Sequence, residues 1–139
     1  MNQLKFNIPG KPIAKKRPRF FRRGNFTGTY NDQRTEEGRF LWEVQNQLPL
    51  GMNGPIIESE GHICMRVIFY MPIPKSTSKK KRQILLYHTK KPDLDNLVKF
   101  VKDCFNDVVW KDDSQVAELH AGKMYSEDTR TEITVTWHD

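Results

Sequence analysis

Residues 92–108 read PDLDNLVKFVKDCFNDV, and this stretch contains the clearest helical pattern in the chain. Its apolar residues follow i, i+4, i+7, i+8 and i+11 spacing, which places them on one face of a helix. They are Leu97, Val101, Cys104, Phe105 and Val108. The pattern predicts an amphipathic helix from about Asp95 to Val108 whose apolar face covers a core.

The segment before this helix predicts the central strand of a sheet. Ile63, Met65, Val67, Phe69 and Met71 alternate with their neighbours up to Pro72, and a period of two is typical of a β-strand. Further strands are predicted over residues 4–8, 116–125 and 131–137, the last two as a closing hairpin across residues 126–129. Residues 32–48 predict a helix capped by Asn31 or Asp32, and residues 76–86 a short basic helix.

The order of these elements predicts an α+β fold with one mixed β-sheet flanked by helices. A chain of 139 residues with 37% hydrophobic content suits a single domain over residues 1–139. Residues 10–30 show no sustained period and are predicted to form a basic arm or loop, and residues 110–114 a polar turn.

Basic residues are concentrated in two segments. The chain has 23 Lys+Arg against 17 Asp+Glu, a net charge of +6. Residues 11–23 and residues 75–91 each hold seven basic residues and no acidic one, so the remainder of the chain is acidic on balance. This separation favours a polyanionic partner.

Composition also limits the compartment and the chemistry. No run approaches the roughly 18 apolar residues of a spanning helix, and the residues after Met1 lack a signal-peptide pattern, so we expect a cytoplasmic protein without membrane contact. Cys64 and Cys104 are expected as buried thiols in a reducing compartment rather than as zinc ligands.

Two aspartates flank Leu94 where the long helix is predicted to begin. Pro92 favours extended backbone at Lys91, and in an extended segment Asp93 and Asp95 would point the same way. Paired carboxylates repel each other unless a cation such as Mg²⁺ lies between them. The alternative is that Asp95 caps the helix and Asp93 interacts with its dipole. Both interpretations remain open at the level of the sequence.

A second acidic pair, Asp112 and Asp113, follows the long helix. That helix would be roughly 20 Å long, so a site shared with Asp93 requires the chain to fold back. Asp103 and Asp107 lie four residues apart and are expected at ordinary solvated positions.

Two motifs give the sequence a family resemblance. Residues 92–99 (PDLDNLVK) and 109–116 (VWKDDSQV), followed by Lys123, resemble the RusA family of Holliday junction resolvases. Residues 15–19 (KKRPR) are similar to a basic segment of phage-borne members, many of which sit in prophages. The resemblance implies a homodimer that uses Mg²⁺ or Mn²⁺ and cuts four-way DNA junctions by two symmetric nicks.

The resemblance also implies roles for individual residues. Asp93, Asp95 and Asp113 would bind the metal, and Lys99 would assist catalysis or, as the alternative, form an ion pair with Asp95. The basic segments would bind DNA phosphates. The residues expected to contact DNA are Lys15, Lys16, Arg17, Arg19, Arg22, Arg23, Lys79, Lys80, Lys81, Arg82 and Lys123. Phe20, Phe21 or Phe26 would either stack on an unpaired base or pack against the sheet.

Three other classes of protein have sequence requirements that can be compared with this chain. A restriction-type nuclease needs an acid two residues before a lysine, and no lysine after Asp93 has one. A nucleotide-binding enzyme needs a glycine-rich phosphate loop, which is missing from the sequence. A non-catalytic nucleic-acid binder fits the basic segments equally well, and it predicts that divalent metal is irrelevant.

Overall fold

The structure is a computed structural model that describes residues 1–16, 19–30, 33–49 and 54–139, with the backbone alone at 19–21, 26, 29 and 30. The strands are β1 (Asn2–Pro9), β2 (Arg19–Arg23), β3 (Phe26–Tyr30), β4 (Ile63–Met71), β5 (Val116–Tyr125) and β6 (Arg130–Trp137). The helices are α1 (Arg34–Asn46), α2 (Lys79–Arg82) and α3 (Leu94–Phe105), and Asp113–Gln115 forms a 3-10 turn.

Four strands form a mixed sheet in the order β1-β6-β4-β5. β6 is antiparallel to both β1 and β4, whereas β5 runs parallel to β4. A parallel pair needs a long crossover, and residues 72–115, which contain α2 and α3, supply it. The predicted α+β fold with a mixed sheet is therefore confirmed, with β2 and β3 as a separate two-stranded ribbon.

The core lies on the face of the sheet that α1 and α3 cover. The predicted alternation in β4 is confirmed, because Met65, Val67 and Phe69 are each at most 1% exposed. Trp110 is also fully buried, which contradicts the predicted polar turn. Its ring packs edge-on against Phe105 at 5.3 Å between centroids. Its Nε1 donates to Asn106 Oδ1 at 2.9 Å, so the indole enters the core with its polar atom satisfied.

The predicted closing hairpin of β5 and β6 is wrong, because β4 lies between these two strands. The short connection 126–129 crosses the end of β4, where Ser126 N donates to Met71 O at 2.9 Å. Each edge of β4 thereby has a paired neighbour, which suits a strand that is apolar on its core face. A strand's partners are set by the path of the crossover, which alternation along the sequence does not encode.

The predicted loop at residues 10–30 is wrong in its second half, where β2 and β3 form an antiparallel hairpin. Its two-residue turn contains Gly24 at φ 56°, a conformation that glycine adopts without steric cost. The first half is attached to the body, because Pro12 is buried and Ile13 and Ala14 pack against the core.

The predicted helices exist with shifted ends. α1 begins at Arg34 after Gln33, and the predicted caps Asn31 and Asp32 lie outside the described residues. α2 covers only four residues of the predicted 76–86, with Ser78 Oγ accepting from Lys81 N at 3.2 Å. No helix among the described ranges is long and apolar enough to cross a membrane.

Candidate active site

The N-terminus of α3 positions the first two candidate carboxylates. Asp93 occupies the N-cap position with extended backbone, at φ −66° and ψ 143°, and its side chain makes no capping hydrogen bond. The helix begins at Leu94, so Asp95 lies in the first turn. The prediction that Asp93 and Asp95 both lie in extended backbone is therefore wrong, because Asp95 is helical. The alternative that Asp95 is the N-cap is also wrong, because Asp93 occupies that position. The Asp93 carboxylate is not used for capping, which leaves it available to a ligand.

A groove between α3 and the edge strand β5 brings three of the predicted site residues together. Its volume is about 610 Å³. It is lined by Leu94, Asp95, Val98, Lys99, Lys102, Asp103, Asp113, Leu119 and Ala121. The structure thus places Asp95, Lys99 and Asp113 on one groove, whereas Asp93 precedes it at the helix start.

The carboxylates are spread along this groove. Asp95, Lys99 and Asp103 follow i, i+4 and i+8 spacing on α3, so successive side chains are about 6 Å apart along the axis. Asp113 enters from the turn before β5. In the described ranges, the compact group of ligand atoms, all within 4.8 Å of one another, is formed elsewhere, by Cys64, Glu118 and His120. The groove of one chain therefore combines separated acidic and basic side chains with an apolar lining.

Asp112 and Asp113 have different roles. The Asp112 carboxylate accepts from Ser114 N at 3.0 Å, and Gln115 Oε1 accepts from Asp112 N at 3.4 Å, which completes a capping box. Hydrogen bonding from the side chain of Ser114, and then from its backbone N–H, lowers the pKa of Asp112. Gln115 also donates to Ser59 O at 3.0 Å. Asp112 therefore holds the turn that presents Asp113 to the groove.

Lys123 holds the segment that leads into α3. Its Nζ donates to Lys90 O at 2.6 Å and to Pro92 O at 2.7 Å, which are two of the three carbonyls directly before Asp93. The expectation that Lys123 contacts DNA is untested, but two of its three donors are used inside the protein. Sequence reasoning missed this role, because nothing local to Lys123 marks the 31-residue separation from Pro92.

His88 lies beside this contact. It is 9% exposed, its backbone N–H donates to Lys123 O at 3.0 Å, and its ring lies 4.8 Å from that of Tyr125 between centroids. Burial, and then the charge of Lys123, lower the pKa of His88. The folded surroundings of His88, next to the support of the helix N-terminus, therefore favour the neutral imidazole over the charged one.

The lysines of the first basic segment form ion pairs with the body. Lys15 Nζ lies 3.4 Å from Asp103 Oδ2 and 3.6 Å from Glu37 Oε1, and Lys16 Nζ lies 3.7 Å from Glu36 Oε1. Asp103 is half-buried and paired, so its predicted solvated position is wrong. Asp107 is exposed, as predicted.

The remaining predicted DNA contacts differ in accessibility. Arg22, Arg23 and Lys79–Lys81 are exposed, whereas Arg82 is held by Glu127 at 3.4 Å. Arg17 lies outside the described residues, and so do the side chains of Arg19, Phe20, Phe21 and Phe26. Lys11, Lys75, Lys90 and Lys91 are exposed as well. The accessible charge of the described residues in these two segments is therefore spread beyond the β2–β3 hairpin and α2.

The second basic segment lies at the end of the sheet where α3 begins. After α2 the chain runs along the end of β5, where Tyr125 N donates to Leu86 O at 2.9 Å. Lys123 of the same strand holds the carbonyls that precede Asp93. The lysines of α2 and the start of α3 thus share one end of the molecule.

An α+β domain with two cationic segments and a groove that holds both acidic and basic side chains is typical of a small nucleic-acid-binding protein or nuclease. Comparison of the sequence with known protein families identifies the family. The model of the family described as "Endodeoxyribonuclease RusA" matches residues 9–136, and the chain belongs to this family.

Two relatives are informative. The chain is 37% identical over 141 residues to a Bacillus subtilis (strain 168) protein named "Uncharacterized protein YqaN", covering 97% of this chain and 96% of that protein. It is 39% identical over 59 residues to a Lactococcus phage r1t protein named "Crossover junction endodeoxyribonuclease rusA", covering 42% of this chain and 45% of that protein. The RusA resemblance read from the sequence is confirmed.

Proposed function

We propose that this chain is a metal-dependent, structure-selective endodeoxyribonuclease that resolves four-way (Holliday) DNA junctions by paired symmetric hydrolysis. It would act as a homodimer in the cytoplasm, where its DNA substrate lies. The observation that supports this best is the single groove lined by Asp95, Lys99 and Asp113 in a chain of the RusA family. A relative named as a crossover junction endodeoxyribonuclease points to the same substrate.

Asp93, Asp95 and Asp113 are proposed to hold the metal, Mg²⁺ or Mn²⁺. Carboxylate oxygens are hard donors, which both ions prefer. The Asp93 side chain is not used in capping, and Asp112 rather than Asp113 caps the following turn, so both carboxylates are available as donors. Among the described residues these three acids do not form a group within 4.8 Å of one another, so a shared ion requires them to move together when it binds. When bound, the ion would lower the pKa of a coordinated water and offset charge on the phosphate.

Lys99 is proposed to stabilise the negative charge that develops on the phosphate. Among the ion pairs of the described residues none joins Lys99 to Asp95, although they lie four residues apart on α3. The Lys99 ammonium lines the groove and is exposed. It is therefore free to approach an oxygen of a bound backbone.

The two cationic segments are proposed to bind DNA phosphates without reading sequence. Arg22, Arg23 and Lys79–Lys81 offer exposed charge. Lys15 and Lys16 would have to exchange carboxylate partners for phosphates. A symmetric dimer would present two such surfaces and two grooves related by a two-fold axis, which matches a four-way junction.

The test is cleavage of synthetic four-way, flap and linear duplex DNA side by side, with Mg²⁺, with Mn²⁺ and with chelator. We expect symmetric nicks in the four-way junction that require metal. Asp93→Asn, Asp95→Asn and Asp113→Asn should each abolish cutting while DNA binding is retained.

Asp107→Asn is the matched control. It removes the same charge at an exposed position with φ 64°, where asparagine is well tolerated, so full activity is expected. Cutting without metal, or full activity in all three aspartate variants, would contradict the proposal. Metal-independent binding with no cutting of any substrate would establish the non-catalytic alternative.

A further inference from the structure

The sheet face turned away from α1 and α3 holds a second group of metal-ligating side chains. Cys64 alternates with the core residues Ile63 and Met65 along β4, so it lies on this opposite face. It is 8% exposed and is absent from the core cluster, which does contain Cys104. The two thiols, which the sequence treats alike, therefore have different surroundings.

A β-bulge gives Cys64 its neighbours. Ile63 pairs with Val116 and Cys64 pairs with Glu118, so Ala117 is the extra residue in β5. In continuous register Cys64 would face Ala117, and Glu118 would lie on the other side of the sheet. Beyond the bulge, Glu118 and His120 alternate onto the same face as Cys64. The ligand atoms of these three residues all lie within 4.8 Å of one another.

We propose that Cys64, Glu118 and His120 form a binding site for a borderline transition-metal ion of the Zn²⁺ type. A thiolate, an imidazole and a carboxylate are the donor types of zinc sites, and three protein ligands leave a fourth position for water or another side chain. Binding would release the thiol proton. The site is separate from the groove that holds Asp95 and Asp113 and does not depend on the proposed nuclease function.

Two further histidines lie on the same cavity as two of the proposed ligands. Cys64 and Glu118 line a cavity of about 360 Å³ that His62 and His138 also line. The two histidine rings lie 6.3 Å apart between centroids. β4 and β5 are adjacent strands that pair on both sides of the bulge, so the donors come from strands rather than from loops, as a preorganised site requires.

The test is titration of the metal-free full-length chain with Co²⁺, a spectroscopic substitute for Zn²⁺. A thiolate bound to Co²⁺ gives a charge-transfer absorption band that oxygen and nitrogen ligands do not. We expect one such centre per chain, displaced by equimolar Zn²⁺ but not by excess Mg²⁺. Cys64→Ser should abolish the band. His120→Gln, at an exposed position, should weaken binding at least about tenfold.

Two controls separate this site from the rest of the molecule. Cys104→Ser should keep the band, since burial raises the pKa of the Cys104 thiol to about 12 and it lies in the core. Asp95→Asn should also keep it, so that failure of the nuclease proposal leaves this result unaffected. A band that survives Cys64→Ser, undiminished affinity in His120→Gln, or no band in the wild-type chain at millimolar Co²⁺ would each overturn the proposal.

Discussion

Replacing Lys123 by methionine tests whether the start of α3 is held by side-chain hydrogen bonds from β5. The substitution keeps the aliphatic stem and removes donors at 2.6 Å from Lys90 O and 2.7 Å from Pro92 O. A hydrogen bond from a charged donor contributes about 1.5–3 kcal/mol. One of these two is solvent-exposed and weaker, so we expect a loss of about 2–4 kcal/mol in the free energy of unfolding.

The same change should affect the candidate site more than DNA affinity. Releasing the carbonyls before Asp93 displaces the helix N-terminus, and a shift of about 1 Å in a reacting group can cost about 100-fold in rate. We expect Lys123→Met to lower single-turnover cleavage of a four-way junction about 10- to 100-fold. Hydrogen exchange at Leu97, whose N–H donates to Asp93 O at 3.2 Å, should accelerate.

The assays are urea unfolding, hydrogen exchange and junction binding over a range of salt, with Lys5→Met as control. Lys5 is exposed on β1, so its replacement removes the same charge without touching α3. If Lys123→Met unfolds at the same urea concentration as Lys5→Met and hydrogen exchange at Leu97 is unchanged, then the hydrogen bonds of Lys123 do not hold the start of α3. If it instead lowers DNA affinity and reduces the salt slope by about one, Lys123 contacts a phosphate.

Three further predictions concern the core, a buried histidine and the basic arm. Because the pKa of His88 is lowered in the folded protein, the unfolded chain binds the proton more tightly. The free energy of unfolding should therefore fall as the pH drops below the ordinary pKa of 6.5. Measured by urea unfolding between pH 8 and pH 5, this fall should be smaller in His88→Asn than in the wild-type chain. Trp110→Ala, at a fully buried position, should lower the free energy of unfolding by about 3–5 kcal/mol, and a loss under 1 kcal/mol by urea unfolding would show that the ring is dispensable. Replacing the four basic residues Lys15, Lys16, Arg17 and Arg19 together with alanine should weaken junction binding and flatten its salt dependence, and unchanged affinity in a gel-shift titration would remove the arm from the interface.

The metal-binding prediction made from the sequence depends on a geometry that the fold revises. An extended Asp93-Leu94-Asp95 segment would have paired the two carboxylates directly. The helix instead starts one residue earlier, so Asp95 turns into the groove while Asp93 stays at its end. Helix ends are decided by a few hydrogen bonds near the terminus, which makes them less predictable than the helix itself.

Periodic patterns predicted the elements that are buried on one side. The apolar face of α3 and the alternation of β4 follow from the need to cover a core, and both were read correctly. Periodicity failed at the β2–β3 hairpin, whose sequence shows no sustained alternation, and at Trp110, where a polar-looking turn contributes its largest side chain to the core.

The amino-acid sequence by itself determined the one-sided elements, the two cationic segments and the family motifs, because each is written within a short stretch of neighbouring residues. Only the tertiary structure decided that β4 separates β5 from β6, that Asp95 and Asp113 share a groove, that Lys123 reaches Pro92, and that a bulge sets Glu118 opposite Cys64. These contacts join residues far apart in the chain. They depend on the path of the 72–115 crossover and on strand register, which local chemistry leaves undetermined.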